Sequence, residues 1–240
     1  MRSDDTTDSI LSGRIRIRQP RKGYRFGIDS VLLAHFIKLN AEERALEIGC
    51  GTGVVIILLA RLQKFKQIVG VEIQKEPAEY AAWNLEQNGV PDCRIVQADA
   101  KLLDRILPLN SFDLIFSNPP YRKLGSGKLN PSAEKAVARH EVSLRLQDLF
   151  QCCEQLLKPT GRLTVIMPNF RLQDFEKLIS KHKYFPAEQR FVHSFSDEPP
   201  VFFLATVSKT TLSFVEYPKL VIYERPGEYT SEVEGMLGPI

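Results

Sequence analysis

Four consecutive residues, Asn118-Pro119-Pro120-Tyr121, carry groups suited to holding a planar NH2 group. Two successive prolines fix φ and remove two backbone donors, which leaves the carbonyls around them free to accept hydrogen bonds. The Asn118 side-chain oxygen and the Pro119 carbonyl can each accept one hydrogen of an amine. That pair of bonds favours a pyramidal nitrogen with its lone pair turned outward, so such a site works by alignment and needs no strong base. Tyr121 adds a flat face on which a ring can stack. Taken alone the run is also an ordinary proline turn, and its meaning depends on what precedes it.

What precedes it is Glu47-Ile48-Gly49-Cys50-Gly51-Thr52-Gly53, with glycine at every second position. Such spacing allows positive φ and lets a ligand approach backbone without a Cβ in the way. The dinucleotide fingerprint G-x-G-x-x-G places its third glycine one residue later and cradles a pyrophosphate, so the spacing here differs from it. Glu72 lies 23 residues after Gly49, where a carboxylate can accept both hydroxyls of a ribose, and Asp99 stands where it can meet a base edge. A structural turn flanked by two solvated acids is the bland alternative.

These groups need a scaffold that brings distant segments to one place. Residues 44–48 read as a strand, the glycines as a tight turn, and 54 to about 64 as an apolar helix. Residues 67–73 form a second strand. A helix follows over 75–88, with Pro77 in its first turn, Gly89 as its stop, and Ala78, Ala81, Ala82 and Leu85 on its buried face. Short strands follow at 94–97 and 112–117, then a polar stretch to about 131. A helix from Leu146 is ended by Pro159 and Gly161 before a strand at 162–167. A helix near 171–183 and strands near 189–194 and 201–208 complete the order. Strands alternating with helices predict an α/β fold, a doubly wound and mostly parallel sheet whose ligands bind at the carboxyl ends of the strands. Both motifs fall at those ends.

With the strands in place, the glycine run resembles motif I of the class I S-adenosylmethionine methyltransferases. The resemblance implies a Rossmann-like sheet of seven strands and S-adenosyl-L-methionine as cofactor. It puts Gly49, Gly51 and Gly53 beneath the methionine part, Glu72 on the ribose and Asp99 on the adenine amine, and Glu47 and Asn118 are grouped with them as cofactor-binding. Asn118-Pro119-Pro120-Tyr121 resembles the signature shared by N6-adenine and protein glutamine N5-methyltransferases. It fixes transfer to a planar nitrogen and names these four residues as catalytic. Residues 23–36 (GYRFGIDSVLLAHF), Ala138-Arg139-His140-Glu141 and Glu228-Tyr229-Thr230-x-Glu232 resemble the bacterial tRNA adenine N6-methyltransferases that modify adenine 37 of a valine tRNA. The likeness runs from about residue 10 to 235 and implies a tRNA partner. The alternative, a glutamine N5-methyltransferase acting on release factors, usually carries an extra N-terminal helical domain, and only about 43 residues precede the first strand here.

The chain divides accordingly into a basic extension, 1–43, and a methyltransferase domain, 44–240. Its 240 residues and 43% hydrophobic content suit one α/β domain and exclude a disordered tail or a disulfide mini-protein. The net charge of +3 conceals segregation: residues 9–28 carry +6 and residues 120–145 carry +4, against an acidic remainder. A polyanion would be drawn to both clusters, which makes Arg14, Arg16, Arg18, Arg25, Arg122, Lys123, Lys128 and Arg139 candidate substrate contacts. The bland reading is solvated surface. Phe26 and Asp29 either close over the cofactor or pack against the first strand. His140 reads as a surface or capping residue, and Trp83 as packing. The four cysteines show no metal-ligand spacing, so neither a zinc site nor a disulfide is expected. No apolar run approaches a membrane span and the N-terminus lacks the apolar core of a signal peptide, so a cytoplasmic protein is expected; the sequence is silent on oligomeric state, with a monomer favoured over an oligomer.

Overall fold

The computed structural model describes residues 5–11, 13–21, 25–119 and 145–238. Its elements run β1 (Thr6–Ile10), β2 (Ile15–Gln19), α1 (Ile28–Phe36), β3 (Arg44–Ile48), α2 (Val54–Leu62), β4 (Gln67–Glu72), α3 (Lys75–Gln87), β5 (Cys93–Gln97) and β6 (Phe112–Ser117). After them come α4 (Leu146–Leu156), β7 (Leu157–Pro168), α5 (Leu172–Lys181), β8 (Phe185–His193) and β9 (Pro200–Ser208). The chain closes with four short strands, β10 (Val215–Glu216), β11 (Leu220–Val221), β12 (Tyr223–Arg225) and β13 (Glu228–Tyr229), and with α6 (Ser231–Leu237).

The central sheet has the order β10-β8-β9-β7-β6-β3-β4-β5, with β11 also paired to β8. Strands β3 to β7 run parallel, and β9 is antiparallel to both neighbours. The sheet holds nine strands rather than the expected seven, because the two-residue strands β10 and β11 add to β8. Successive residues alternate between its faces. Ala45, Ile68, Leu114 and Ile166 face a core shared with α1, α2 and α3, while Leu46, Val69, Ile115 and Val165 face one shared with α4 and α5. Burial on both faces explains why these strands read as continuous apolar runs.

The N-terminal segment is part of this core. In β2 the alternation Ile15-Arg16-Ile17 turns both isoleucines fully inward, each worth about 1.5–3 kcal/mol of burial, and leaves Arg16 exposed. On the other edge of β2, Asn84 and Asn88 lie one helical turn apart on α3, and their amides pair the backbone at Arg18 and Arg16. The four bonds span 2.8–3.1 Å. Side-chain amides thus stand in for a neighbouring strand and blunt the edge of the hairpin. Ile10, Leu11, Ile15, Ile17 and the apolar residues of α1 lie in one cluster with α2 and α3. The boundary expected at residue 43 therefore does not coincide with a break in the core. No helix among the described residues is long and apolar enough to cross a membrane.

Candidate active site at the carboxyl edge of the sheet

Parallel pairing of β3 with β4 and β6, and of β4 with β5, brings Glu47, the glycine turn, Glu72, Asp99 and Asn118 to one edge. The turn is bolted to β4: the N–H groups of Gly49 and Cys50 both donate to the Val71 carbonyl, at 2.8 and 3.0 Å. Gly51, at φ +53°, directs its N–H to Glu72 Oε2 (3.0 Å), and the Gln74 N–H donates to Oε1 (2.9 Å). The Thr52 carbonyl accepts from Asn84, so one asparagine of α3 fixes both the hairpin and the glycine turn.

Gly51 and Gly53 serve different purposes. A Cβ on Gly51 would meet nothing within 4 Å and would project into the open space above the turn. One on Gly53, at φ +81°, would press on Leu85 Cδ1 at 3.0 Å and Ala81 Cβ at 3.3 Å, so that glycine lets α3 approach. The first keeps a cradle for a ligand clear; the second holds the helices beneath it together.

Glu47 is 1% exposed and its Oε2 has no hydrogen-bond partner. Burial, and secondarily the neighbouring Glu72, hold its carboxyl well above the usual carboxylate range. Because the folded pKa is raised, ionisation opposes folding. The contribution of Glu47 to stability is complete below its unfolded value of about 4.3 and is lost as pH rises through the folded one. Glu47→Gln, which has no proton to lose, should match the wild type near pH 4 and become progressively more stable than it as pH rises. Melting midpoints across pH check this, and a constant offset would remove the buried proton.

Asp99 is half-buried and caps the 3-10 turn 100–105, its Oδ1 accepting from the Lys101 N–H at 3.0 Å. At the end of β6, the Ser117 hydroxyl donates to the Ile48 carbonyl (2.7 Å), fixing the take-off of Asn118 against the glycine strand. The Asn118 Nδ2 donates to Asp29 Oδ2 at 3.0 Å, and Pro119 is buried. Phe26 is half-buried and packs on the cluster that includes α1 and α2. Pro120, Tyr121, Arg122, Lys123, Lys128, Arg139 and His140 lie outside the described residues.

The basic stretch is less open than its charge suggests. Arg18 pairs with Asp5 at 3.0 Å and lies 5.4 Å over the Trp83 ring, while Arg25 binds Asp8 and the Thr6 hydroxyl. Both close the hairpin onto the domain. Arg14 and Arg16 are exposed and belong to no ion pair among the described residues. Sequence reasoning passed over Asn84, Asn88 and Ser117. The one available signal was the four-residue spacing of the two asparagines on a helix.

The edge therefore offers an open backbone cradle, three carboxyl groups from three adjacent strand ends, one of them with an orphaned buried oxygen, and a carboxamide whose NH2 donates to Asp29. That donor set fits a ligand carrying a ribose, an ammonium and a sulfonium, whose hydroxyls donate and whose other two groups are cations. Among the described residues no cluster of His, Cys, Asp or Glu could hold a metal ion.

Sheet and site together define a methyltransferase domain, and a family model described as a methyltransferase domain matches residues 39–211. A solved structure described as a predicted O-methyltransferase from Agrobacterium tumefaciens shares the fold. It has a TM-score of 0.68 and 17% identity over 88% of this chain and 98% of its own. The tRNA1(Val) (adenine(37)-N6)-methyltransferase of Porphyromonas gingivalis is 30% identical over 97% of this chain and 94% of its own length. The enzyme of the same name from Dickeya chrysanthemi is 34% identical over 73% of this chain and 71% of its own. The chain belongs to this family of methyltransferases. It is an enzyme of the methyltransferase class.

Proposed function

We propose that the protein transfers a methyl group to the exocyclic N6 amine of an adenine in tRNA, adenine 37 of a valine tRNA, as the names of its relatives state for them. The observation that carries this reading is the placement of Asn118 and Pro119 beside the glycine turn, with the nitrogen of the Asn118 carboxamide engaged by Asp29. An amide so held presents its oxygen to an incoming NH2.

The donor supplies an activated methyl on a positively charged sulfur. The protein's share is to bind, align and exclude water. In this reading Gly49 and Gly51 let the donor, S-adenosylmethionine, lie on backbone, Gly53 draws α3 in beneath them, and Glu72 spends its two remaining lone-pair sites on the ribose hydroxyls. Asp99 accepts from the donor's adenine amine, and Glu47 faces the ammonium. Asn118 Oδ1 and the Pro119 carbonyl take one amine hydrogen each, raising the nitrogen lone pair toward the methyl, and the product nitrogen then gives its extra proton to water. Pro120 and Tyr121 are proposed as catalytic residues with Asn118 and Pro119, Tyr121 to stack the flipped base.

For the polyanion, Arg14 and Arg16 of the hairpin and the basic segment with Arg122, Lys123, Lys128 and Arg139 are the proposed contacts, whereas Arg18 and Arg25 hold the hairpin closed. Such a substrate places the reaction in the cytoplasm. Replacing Arg14 and Arg16 by Glu should weaken tRNA binding about tenfold at low salt and flatten its salt dependence, by a slope of about one per lost phosphate contact. Donor affinity should stay unchanged. Equal tRNA affinity would return the hairpin to plain surface.

The test of function is labelling. Protein, labelled donor and tRNA from a strain lacking the gene should yield N6-methyladenosine by nucleoside mass spectrometry, at one position of a valine tRNA. Labelling of DNA or of a release-factor glutamine in place of tRNA would overturn the proposal.

A further inference from the structure

Asp29 is 6% exposed at the start of α1, and both of its oxygens are engaged. Oδ1 accepts the Ser30 N–H at 3.0 Å, and Oδ2 accepts from Asn118 Nδ2 at 3.0 Å. The two residues are 89 apart in sequence. A carboxamide can present either end, and which end it presents decides whether Asn118 can accept from an amine. A carboxylate only accepts, so beside Asp29 the amide must turn its NH2 inward and its oxygen outward. We infer that Asp29 is a positioning residue that sets the flip state of Asn118. This inference rests on the proposed N6 transfer for its kinetic consequence, but not for its structural one.

Gly27 makes the arrangement possible. A Cβ there would stand 2.8 Å from Asp29 Oδ1 and 3.7 Å from its carboxyl carbon, closer than a side chain tolerates. The backbone of Gly27 is extended, at φ −118° and ψ −174°, a conformation any residue adopts. Glycine is therefore required for room beside the carboxylate rather than for backbone freedom. Gly27→Ala would turn the Asp29 carboxylate away without deleting a polar group, which separates the geometry of Asp29 from its presence.

From the sequence Asp29 either closes over the cofactor or packs against the first strand, and a cofactor contact makes a different prediction. If Asp29 acts through Asn118, Asp29→Ala should lower kcat by between about 10- and 100-fold, the worth of one charge-assisted hydrogen bond, and leave the KM for the donor within a factor of about two. Gly27→Ala should lower kcat in the same sense, and Asp29→Asn, which keeps an accepting oxygen, should retain more activity than Asp29→Ala. On an Asn118→Ala background Asp29→Ala should cost nothing further, because the group it positions is gone.

A second readout needs no turnover. In the full-length protein the Asn118 side-chain NH2 should show slow hydrogen exchange by NMR, which Asp29→Ala and Gly27→Ala abolish while the backbone amide spectrum elsewhere is kept. Exchange as fast in the wild type as in Asp29→Ala overturns the inference. So does an equal fall in kcat on both backgrounds, or a raised donor KM at unchanged kcat. If the wild type labels no tRNA, the proposed function fails while the exchange measurement still decides the role of Asp29.

Discussion

Asn118→Ala should abolish most turnover, by about 10³-fold in kcat, while the dissociation constant for S-adenosylmethionine changes by less than about threefold. The size follows from what the side chain is proposed to do. A planar amine conjugated with a purine ring has little lone-pair density to offer; two acceptors in the right directions raise it, and the electrophile needs no help. Removing one acceptor leaves the Pro119 carbonyl alone, a single bond that neither sets the orientation nor favours pyramidal nitrogen. The change removes the hydrogen bond to Asp29, while β6 keeps its anchor, the Ser117 hydroxyl on the Ile48 carbonyl. Calorimetric titration with the donor, single-turnover methylation and a melting curve on one preparation separate the contributions. A variant with full kcat would remove Asn118 from the chemistry, and a large loss of donor affinity would move it to the cofactor.

The parts of this site that sequence could reveal are those built by local spacing. Strand, glycine turn and helix are adjacent in the chain, and Glu72 ends the next strand, so Gly49, Gly51, Gly53 and Glu72 could be placed together from alternation alone. The partner of Asn118 could not be, because Asp29 reaches it only after α1 has docked on the sheet, and no periodicity links positions 89 apart. The hairpin was legible in principle: Ile15-Arg16-Ile17-Arg18 is the two-residue alternation of a half-buried strand. The density of cations there draws attention to net charge, which is a poor guide once Arg18 and Arg25 are found paired with Asp5 and Asp8. Strands β10 and β11 are two residues long, too short for any periodic signal, and they exist because β8 offers them an edge.

Glu72→Gln should raise the dissociation constant for S-adenosylmethionine by 10²-fold or more and lower the melting midpoint, although the substitution is nearly isosteric. Glu72 Oε2 and Oε1 receive the N–H groups of Gly51 and Gln74, and both oxygens are needed as acceptors before any ribose arrives. A carboxamide has one oxygen; whichever way it turns, its NH2 opposes a backbone N–H. The unmade bond to a charged acceptor costs about 1.5–3 kcal/mol, of the order of 3–12 °C in a domain of this size. If the Gly51 side is lost, the cradle itself loosens; if the Gln74 side is lost, the NH2 still displaces a ribose hydroxyl. The neighbouring carboxyl gives the control. Glu47 ends the adjacent strand, is buried without a partner on Oε2 and favours its neutral form, so the same Glu-to-Gln change should stabilise the protein above about pH 4.3. Two carboxyls on neighbouring strand ends are thus expected to respond in opposite directions. A shared direction in melting curves at pH 7.5 would mean that the hydrogen bonds to Glu72, or the burial of Glu47, do not govern the stability of this edge.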